Sequence, residues 1–205
     1  EVVRAIGSDQ RIGRKFLAPG PGFGGSCFKK DILNLVYLCR FYKLEEIANY
    51  WEQVLFINEW QKNRISSIII QKFFGTVANK KILVLGFAFK SNTNDTRESP
   101  AITITKELIE NGAHLLINDP KVEKKQIEAE LNIKEFAVDQ MTLGTWNFVS
   151  DIENLSINLD AIIILTEWSE YMDINWKKVS SKMRKPAWIF DTRNIIPNEI
   201  INELD

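Results

Sequence analysis

The sequence predicts an α/β chain in which a helical domain, itself partial, precedes a doubly wound parallel sheet. Three observations carry this. Residues 1 to 76 place apolar side chains at three- and four-residue steps, interrupted once by a run of glycines and prolines. At KKILVLGFAF, from Lys80, that period gives way to a continuous apolar run, as in a strand buried on both faces. From there to the end, residues 77–205, such runs alternate with amphipathic segments, the pattern of parallel strands and crossover helices.

A first short helix is predicted at Val2–Ala5, within EVVRAIGSDQRIG. That segment lacks the basic-then-apolar order of a signal peptide and reads as the middle of a helix begun upstream. From Cys27 a second helix aligns Ile32, Leu35, Val36 and Cys39 on one face. A long third helix, Leu44–Phe74, repeats Ile47, Trp51, Val54, Leu55, Asn58 and Ile65, with Gly75 placed to end it. After the KKILVLGFAF strand, ESPAITITKELIENGA offers Ser99 as N-cap, Pro100 at the first helical position and Gly112 past the end. HLLIND reads as a strand, VEKKQIEAEL as a charged surface helix and TWNFVS as a strand. DIENL reads as a short helix, and DAIIILTE and PAWIFDTRN as the last two strands.

Composition narrows the classes of function. With 205 residues, 45% hydrophobic and 26% charged, the chain has enough material for a large core. A net charge of −1 without a basic block predicts no nucleic-acid partner. No apolar run approaches the roughly 20 residues of a membrane span. Cys27 and Cys39 make no disulfide scaffold, and His114 is the only histidine, so neither a secreted knot nor a metal site is expected. The setting expected is the reducing cytoplasm.

The stretch most suggestive of chemistry is GPGFGGSCFKKD. Gly20, Gly22, Gly24 and Gly25 leave a loop of little bulk that a ligand could approach closely, with Pro19 and Pro21 stiffening its entry. Ser26 is placed to cap the next helix, putting Cys27 in its first turn. There the helix dipole, Lys29 and Lys30 favour a thiolate. Asp31, four residues on, shares that face and is placed to orient a lysine or act on a water. The plain alternative is a small buried hydrophobe, which is how most lone cysteines serve and how Cys39 reads.

GFGGSCFKKD, a helix, and then GFAFKSNTNDTRESP resemble the UDP-glucose 6-dehydrogenases among the nucleotide-sugar dehydrogenases, and the likeness runs from RAIGSDQRIG to FDTRN. The resemblance implies the middle and C-terminal portion of such an enzyme: a helical dimerisation domain and a Rossmann-like UDP-sugar-binding domain. It further implies oxidation of UDP-glucose to UDP-glucuronate with two NAD, through a cysteine thiohemiacetal and thioester. By motif, Cys27 matches the catalytic cysteine and Asp31 the aspartate that assists water. Ala18, Pro19, Gly20, Pro21, Gly22, Phe23 and Gly24 match the substrate-wrapping loop. Arg11 matches an arginine that reaches the partner subunit's substrate. Phe89, Lys90 and Arg193 match substrate contacts, and Cys27, Phe28, Lys29, Lys30 and Arg97 match groups beside NAD.

Two departures temper that likeness. GFAFKS after the strand is too bulky for the GxGxxG dinucleotide turn, and the family's NAD domain has no counterpart in these residues. NAD is therefore expected to bind mainly elsewhere, leaving this chain inactive alone. Dehydrogenases of GDP-mannose or UDP-N-acetylmannosamine share the glycine–cysteine–lysine–aspartate pattern and form one alternative. A non-catalytic UDP-sugar-binding or dimerisation module forms another. The exposed apolar helices predict a homodimer or larger assembly.

Overall fold

The computed structural model describes residues 2–13, 17–135, 144–152 and 158–201. The elements run α1 (Val2–Ile6), α2 (Phe28–Phe41), α3 (Glu45–Lys72), β1 (Lys81–Leu85), α4 (Pro100–Glu110), β2 (His114–Asn118), α5 (Lys124–Leu131) and β3 (Thr145–Phe148). They continue with β4 (Ala161–Ile164), α6 (Ser169–Met172), α7 (Trp176–Lys182), β5 (Trp188–Asp191) and α8 (Asn198–Ile201). The helix expected at DIENL falls mainly on residues outside those described.

The five strands form one parallel sheet in the order β3-β2-β1-β4-β5. β1 lies at its centre, and Ile82, Leu83, Val84 and Leu85 are wholly buried, as the continuous apolar run requires. Each such side chain contributes about 1.5–3 kcal/mol by leaving water. The chain winds from β1 outward through β2 to β3, then returns to build β4 and β5 on the other side. Right-handed crossovers therefore put α4 and α5 on one face and the α6–α7 connection on the other. The reversal opens a crevice between the carboxyl ends of β1 and β4, where open α/β sheets take their ligands.

Helix ends follow sequence chemistry, with two corrections. Ser99 caps α4 as expected, its Oγ accepting the Ala101 N–H, with Pro100 at the first position. The third helix ends two residues earlier than read, at Lys72: Phe74, at φ +58, takes the first left-handed position, and Gly75 follows at φ +91. Gly75 donates the closing bond to the Ile70 carbonyl at 3.0 Å.

The second correction concerns the buried face of α3. Ile47 and Trp51 are exposed, and the buried line is Ala48, Asn58, Lys62, Ser66 and Ile69. Its polar members face protein: Ser66 bonds Glu107 of α4, and Asn58 and Lys62 lie under the glycine loop. Ile69 joins the sheet core, while Ile32, Val36, Cys39 and Ala48 form a smaller core between α2 and α3. The last third of α3 thus fastens the helical half to the sheet.

Candidate active site

The cysteine sits at the junction of the two halves. α2 begins at Phe28, and Cys27 itself holds the N-cap position with backbone already near the helical region (φ −88°, ψ −57°). Ser26 does not cap, contrary to the sequence reading; its Oγ turns toward the Cys27 Sγ at 3.8 Å. Cys27 is an exposed free thiol, whereas Cys39 is buried. Asp31 is exposed one turn along, its N–H bonded to the Cys27 carbonyl at 2.9 Å, so the two side chains rise from neighbouring turns of one helix start.

The glycine loop is narrow because protein fills the space that side chains would occupy. A Cβ on Gly24 would lie 2.6 Å from the Glu98 carbonyl oxygen and 2.9 Å from the Phe89 Cβ. One on Gly25 would meet the Phe89 ring at 3.0 Å, and one on Gly20 would meet the Arg193 guanidinium at 2.9 Å. Gly22, at φ +128, presses on the Asn58 amide. The glycines therefore permit close approach of the chain's own residues, where the sequence suggested room for a ligand. Hydrogen bonds hold the loop in place: Gly25 N–H to the Arg97 carbonyl at 2.8 Å, and Gln61 to the Gly20 carbonyl at 3.3 Å.

This packing presses the loop onto the carboxyl edge of the sheet. Phe89 and Lys90 follow β1, and the Lys90 ammonium lies 5.3 Å from the Phe89 ring centre. Arg193 follows β5 and reaches back across the crevice. Its Nε donates to the Leu165 carbonyl at 2.8 Å, and another guanidinium nitrogen donates to the Phe89 carbonyl at 3.2 Å. The Glu167 carboxylate pairs with it at 3.2 Å and also accepts from the Ser91 N–H. Burial lowers the Arg193 pKa from the arginine value, and Glu167 opposes that shift. Arg193 thus fastens three strand ends and the glycine loop into one surface.

The remaining expected residues lie around this centre. Lys29 pairs with Glu98 at 2.8 Å, so its charge is shared with a carboxylate across the junction. Lys30 and Phe28 are exposed on the first turn of α2. Arg97 forms a two-pronged pair with Asp95, at 2.9 and 2.6 Å. That pairing raises the arginine's pKa and holds the Asp95 carboxyl below its ordinary value. Ala18 and Pro19 are exposed, Pro21 is buried and Phe23 is half-buried, its ring edge-on to Phe28 at 4.7 Å. Arg11 is exposed and bound to Asp9, and among the described residues no hydrogen bond or ion pair links it to the cysteine.

Among the described residues no group of three or more His, Cys, Asp or Glu could hold a metal ion, and no helix is long and apolar enough to cross a membrane. A shallow hollow of about 610 Å³ lies at the end of α3, lined by Ile70, Phe74 and their neighbours, away from the residues expected to carry chemistry. A polar cleft of about 290 Å³ lies behind Lys29, between Lys62 and Glu98.

Two family models match this chain. Residues 1–60 match the central domain, and residues 83–198 the UDP binding domain, of the UDP-glucose/GDP-mannose dehydrogenase family. The chain belongs to the UDP-glucose/GDP-mannose dehydrogenase family. Among its relatives, proteins named UDP-glucose 6-dehydrogenase from Gallus gallus and Drosophila melanogaster are each 47% identical over the whole of this chain. UDP-glucose 6-dehydrogenase 4 of Arabidopsis thaliana is 45% identical, also over the whole chain. The chain spans 41%, 43% and 44% of their respective lengths. A solved UDP-glucose dehydrogenase from Pyrobaculum islandicum superposes with a TM-score of 0.72 at 29% identity, covering 95% of this chain and 40% of that one. A UDP-D-ManNAc dehydrogenase from Pyrococcus horikoshii gives 0.66 at 25% identity, covering 96% and 40%.

Within this family member, sequence reasoning missed four residues that build the surface. Asn58 holds the glycine loop, Glu98 pairs with Lys29 at the start of α2, and Glu167 and Asp119 hold the strand ends. Asp119 had a readable signal, an acid directly after a buried strand at the edge where α/β sheets bind ligands. Asn58 was legible only as a member of the third helix's repeating face, and Glu167 not at all, because their partners lie far away in sequence.

Proposed function

We propose that this chain is the cysteine-bearing and UDP-sugar-binding portion of an NAD-dependent UDP-glucose 6-dehydrogenase, converting UDP-glucose to UDP-glucuronate. The observation that most supports this is the seam itself. An exposed thiol at a helix start is joined by its glycine loop to Phe89 and Arg193 at the sheet's carboxyl edge. Relatives at 47% identity carry the same activity in their name.

In this reading the edge holds the uridine diphosphate, with Phe89, Lys90 and Arg193 on one side and the loop from Ala18 to Gly24 on the other. The sugar then extends toward the start of α2. Once its C6 alcohol has been oxidised to the aldehyde at the expense of the first NAD, that carbon accepts the Cys27 sulfur at the α2 N-terminus, and the thiol proton ends on the new hydroxyl of the thiohemiacetal. Sulfur suits the task, because the thioester formed on oxidation hydrolyses readily where an oxygen ester would resist. Asp31 draws a proton from the water that releases the acid. Arg11 reaches a second subunit's substrate.

NAD does not fit the part of the protein described. GFAFKS replaces the glycine turn, and the amides after β1 are bonded to a protein carboxylate. The oxidant is therefore held mainly by a domain outside these residues, with Cys27, Phe28, Lys29, Lys30 and Arg97 at its margin, and the chain alone turns over no substrate. The protein works in the cytoplasm as a homodimer or larger assembly. Tyr37, Phe41, Tyr50, Phe56 and Trp60, all more than half exposed on α2 and α3, are the surface that such an assembly covers.

The test is an assay of the complete gene product with UDP-glucose and NAD. Formation of two NADH per UDP-glucuronate, abolished by Cys27→Ala, is expected. Turnover of GDP-mannose in preference to UDP-glucose, or full activity of the alanine variant, would reject the reading.

A further inference from the structure

The turn after β1 has a property that bears on where ligand phosphates can go. In dinucleotide-binding sheets, free N–H groups of the first turn take the pyrophosphate, and an acid after the second strand reads the ribose. Both parts are present here, and they are bonded to each other. Asp119, directly after β2, is 4% exposed. Its Oδ2 accepts from the Phe87 N–H at 2.7 Å, the Ala88 N–H at 3.0 Å and the Trp168 indole N–H at 3.2 Å. Its Oδ1 accepts from the N–H groups of Lys121 and Val122, both at 2.9 Å. Two successive amides aimed at one oxygen form an anion nest, and the anion in it belongs to the protein.

The rest of the arch is equally committed. The Phe87 carbonyl accepts from the Ser99 hydroxyl at 2.8 Å, and the Ala88 carbonyl from the Thr166 hydroxyl at 2.6 Å. The Phe89 N–H donates to the Asp95 carbonyl at 3.1 Å, and its carbonyl accepts from Arg193. Every backbone polar group from Phe87 to Phe89 therefore has a protein partner. Gly86 seals the other side: a Cβ there would lie 2.3 Å from Thr166.

We infer that Asp119 is a built-in anion, filling the nest that a ligand phosphate occupies in dinucleotide-binding sheets and thereby positioning Phe89 and Lys90. The sheet edge then meets its nucleotide through side chains and the glycine loop instead of through the β1 turn. The filled nest concerns the protein alone. The effect on nucleotide affinity rests on the UDP-sugar reading given above.

Amide NMR of the full chain tests this, with inorganic phosphate and UDP as probes. In the wild type, millimolar phosphate and saturating UDP leave the Phe87, Ala88 and Trp168 indole resonances unmoved, while UDP shifts Lys90 and the glycine loop. Asp119→Ala vacates the nest, so that phosphate now shifts Phe87 and Ala88, a gain that general loosening of the fold would not produce. Asp119→Asn, which turns an amide group toward N–H donors, loses UDP affinity tenfold or more. Phosphate or UDP shifting Phe87 and Ala88 in the wild type would overturn the inference, as would UDP affinity within twofold of wild type in Asp119→Asn. A wild type that binds no UDP would sink the UDP-sugar reading, and the phosphate titration would still decide the role of Asp119. The wild-type arm stands whether or not Asp119→Ala folds.

Discussion

The side-chain amide of Asn58 closes on both backbone polar groups of Phe23, accepting its N–H at 2.8 Å and donating to its carbonyl at 3.1 Å. Asn58 lies mid-way along α3 and is 7% exposed, so this pair fixes the centre of the glycine loop against a rigid helix. Only a side chain with an acceptor and a donor side by side makes both bonds.

Replacing Asn58 with leucine leaves both Phe23 groups without their partner. The expected cost is about 1–3 kcal/mol of stability, read by denaturant unfolding. Weaker UDP-glucose binding is expected alongside, because the loop loses its anchor.

Gly24→Ala tests whether the loop glycines serve packing. The added methyl meets backbone oxygen at Glu98 and the Phe89 Cβ, and neither is the end of a flexible chain. Overpacking of this kind costs about 1–3 kcal/mol, and the loop is pushed off the sheet edge. Gly13→Ala is the control: Gly13 has a positive φ of 68° and nothing within 4 Å of its would-be Cβ. It should lose about 1–2 kcal/mol to backbone strain while UDP-glucose affinity stays unchanged.

In the complete enzyme, Asp31→Asn should lower kcat about 10²–10⁴-fold with little change in KM, the signature of a lost general base. Steady-state kinetics against UDP-glucose measures this. An unchanged kcat would remove Asp31 from the hydrolysis of the thioester.

Much of this was readable from the sequence, and the exceptions share a cause. The β1 run and the Ser99–Pro100 helix start announce themselves because their partners are local or are simply apolar surroundings. α6 and α8 have four residues each and α7 seven, too short for a helical period to stand out. The buried line of α3 was misread, Asn58 apart, because Lys62 and Ser66 look like surface residues until the loop and α4 supply their partners. The glycine–cysteine segment was found, yet the reason for its glycines lies in Arg193, Phe89 and Glu98, residues on distant segments.

Stability should fall on acidification partly through Asp95. Its bond to Arg97 depresses the folded-state pKa, so the pair stabilises the fold above the unfolded aspartate value of about 3.9. That contribution is lost as pH falls below this value and through the lower folded-state pKa. Asp95→Asn should flatten the stability curve below about pH 4 and leave its slope near neutrality unchanged, as followed by urea unfolding at a series of pH values. Equal slopes for both proteins in the acid range would count against the pairing.

Calorimetric titration of this chain with UDP-glucose, and with GDP-mannose in parallel, tests most directly whether the seam between the glycine loop and the sheet edge is a UDP-sugar site. Saturable binding of UDP-glucose, weakened by Arg193→Ala and absent for GDP-mannose, is the expected result. Binding of GDP-mannose with equal or greater affinity, or no uptake of UDP-glucose, would contradict it.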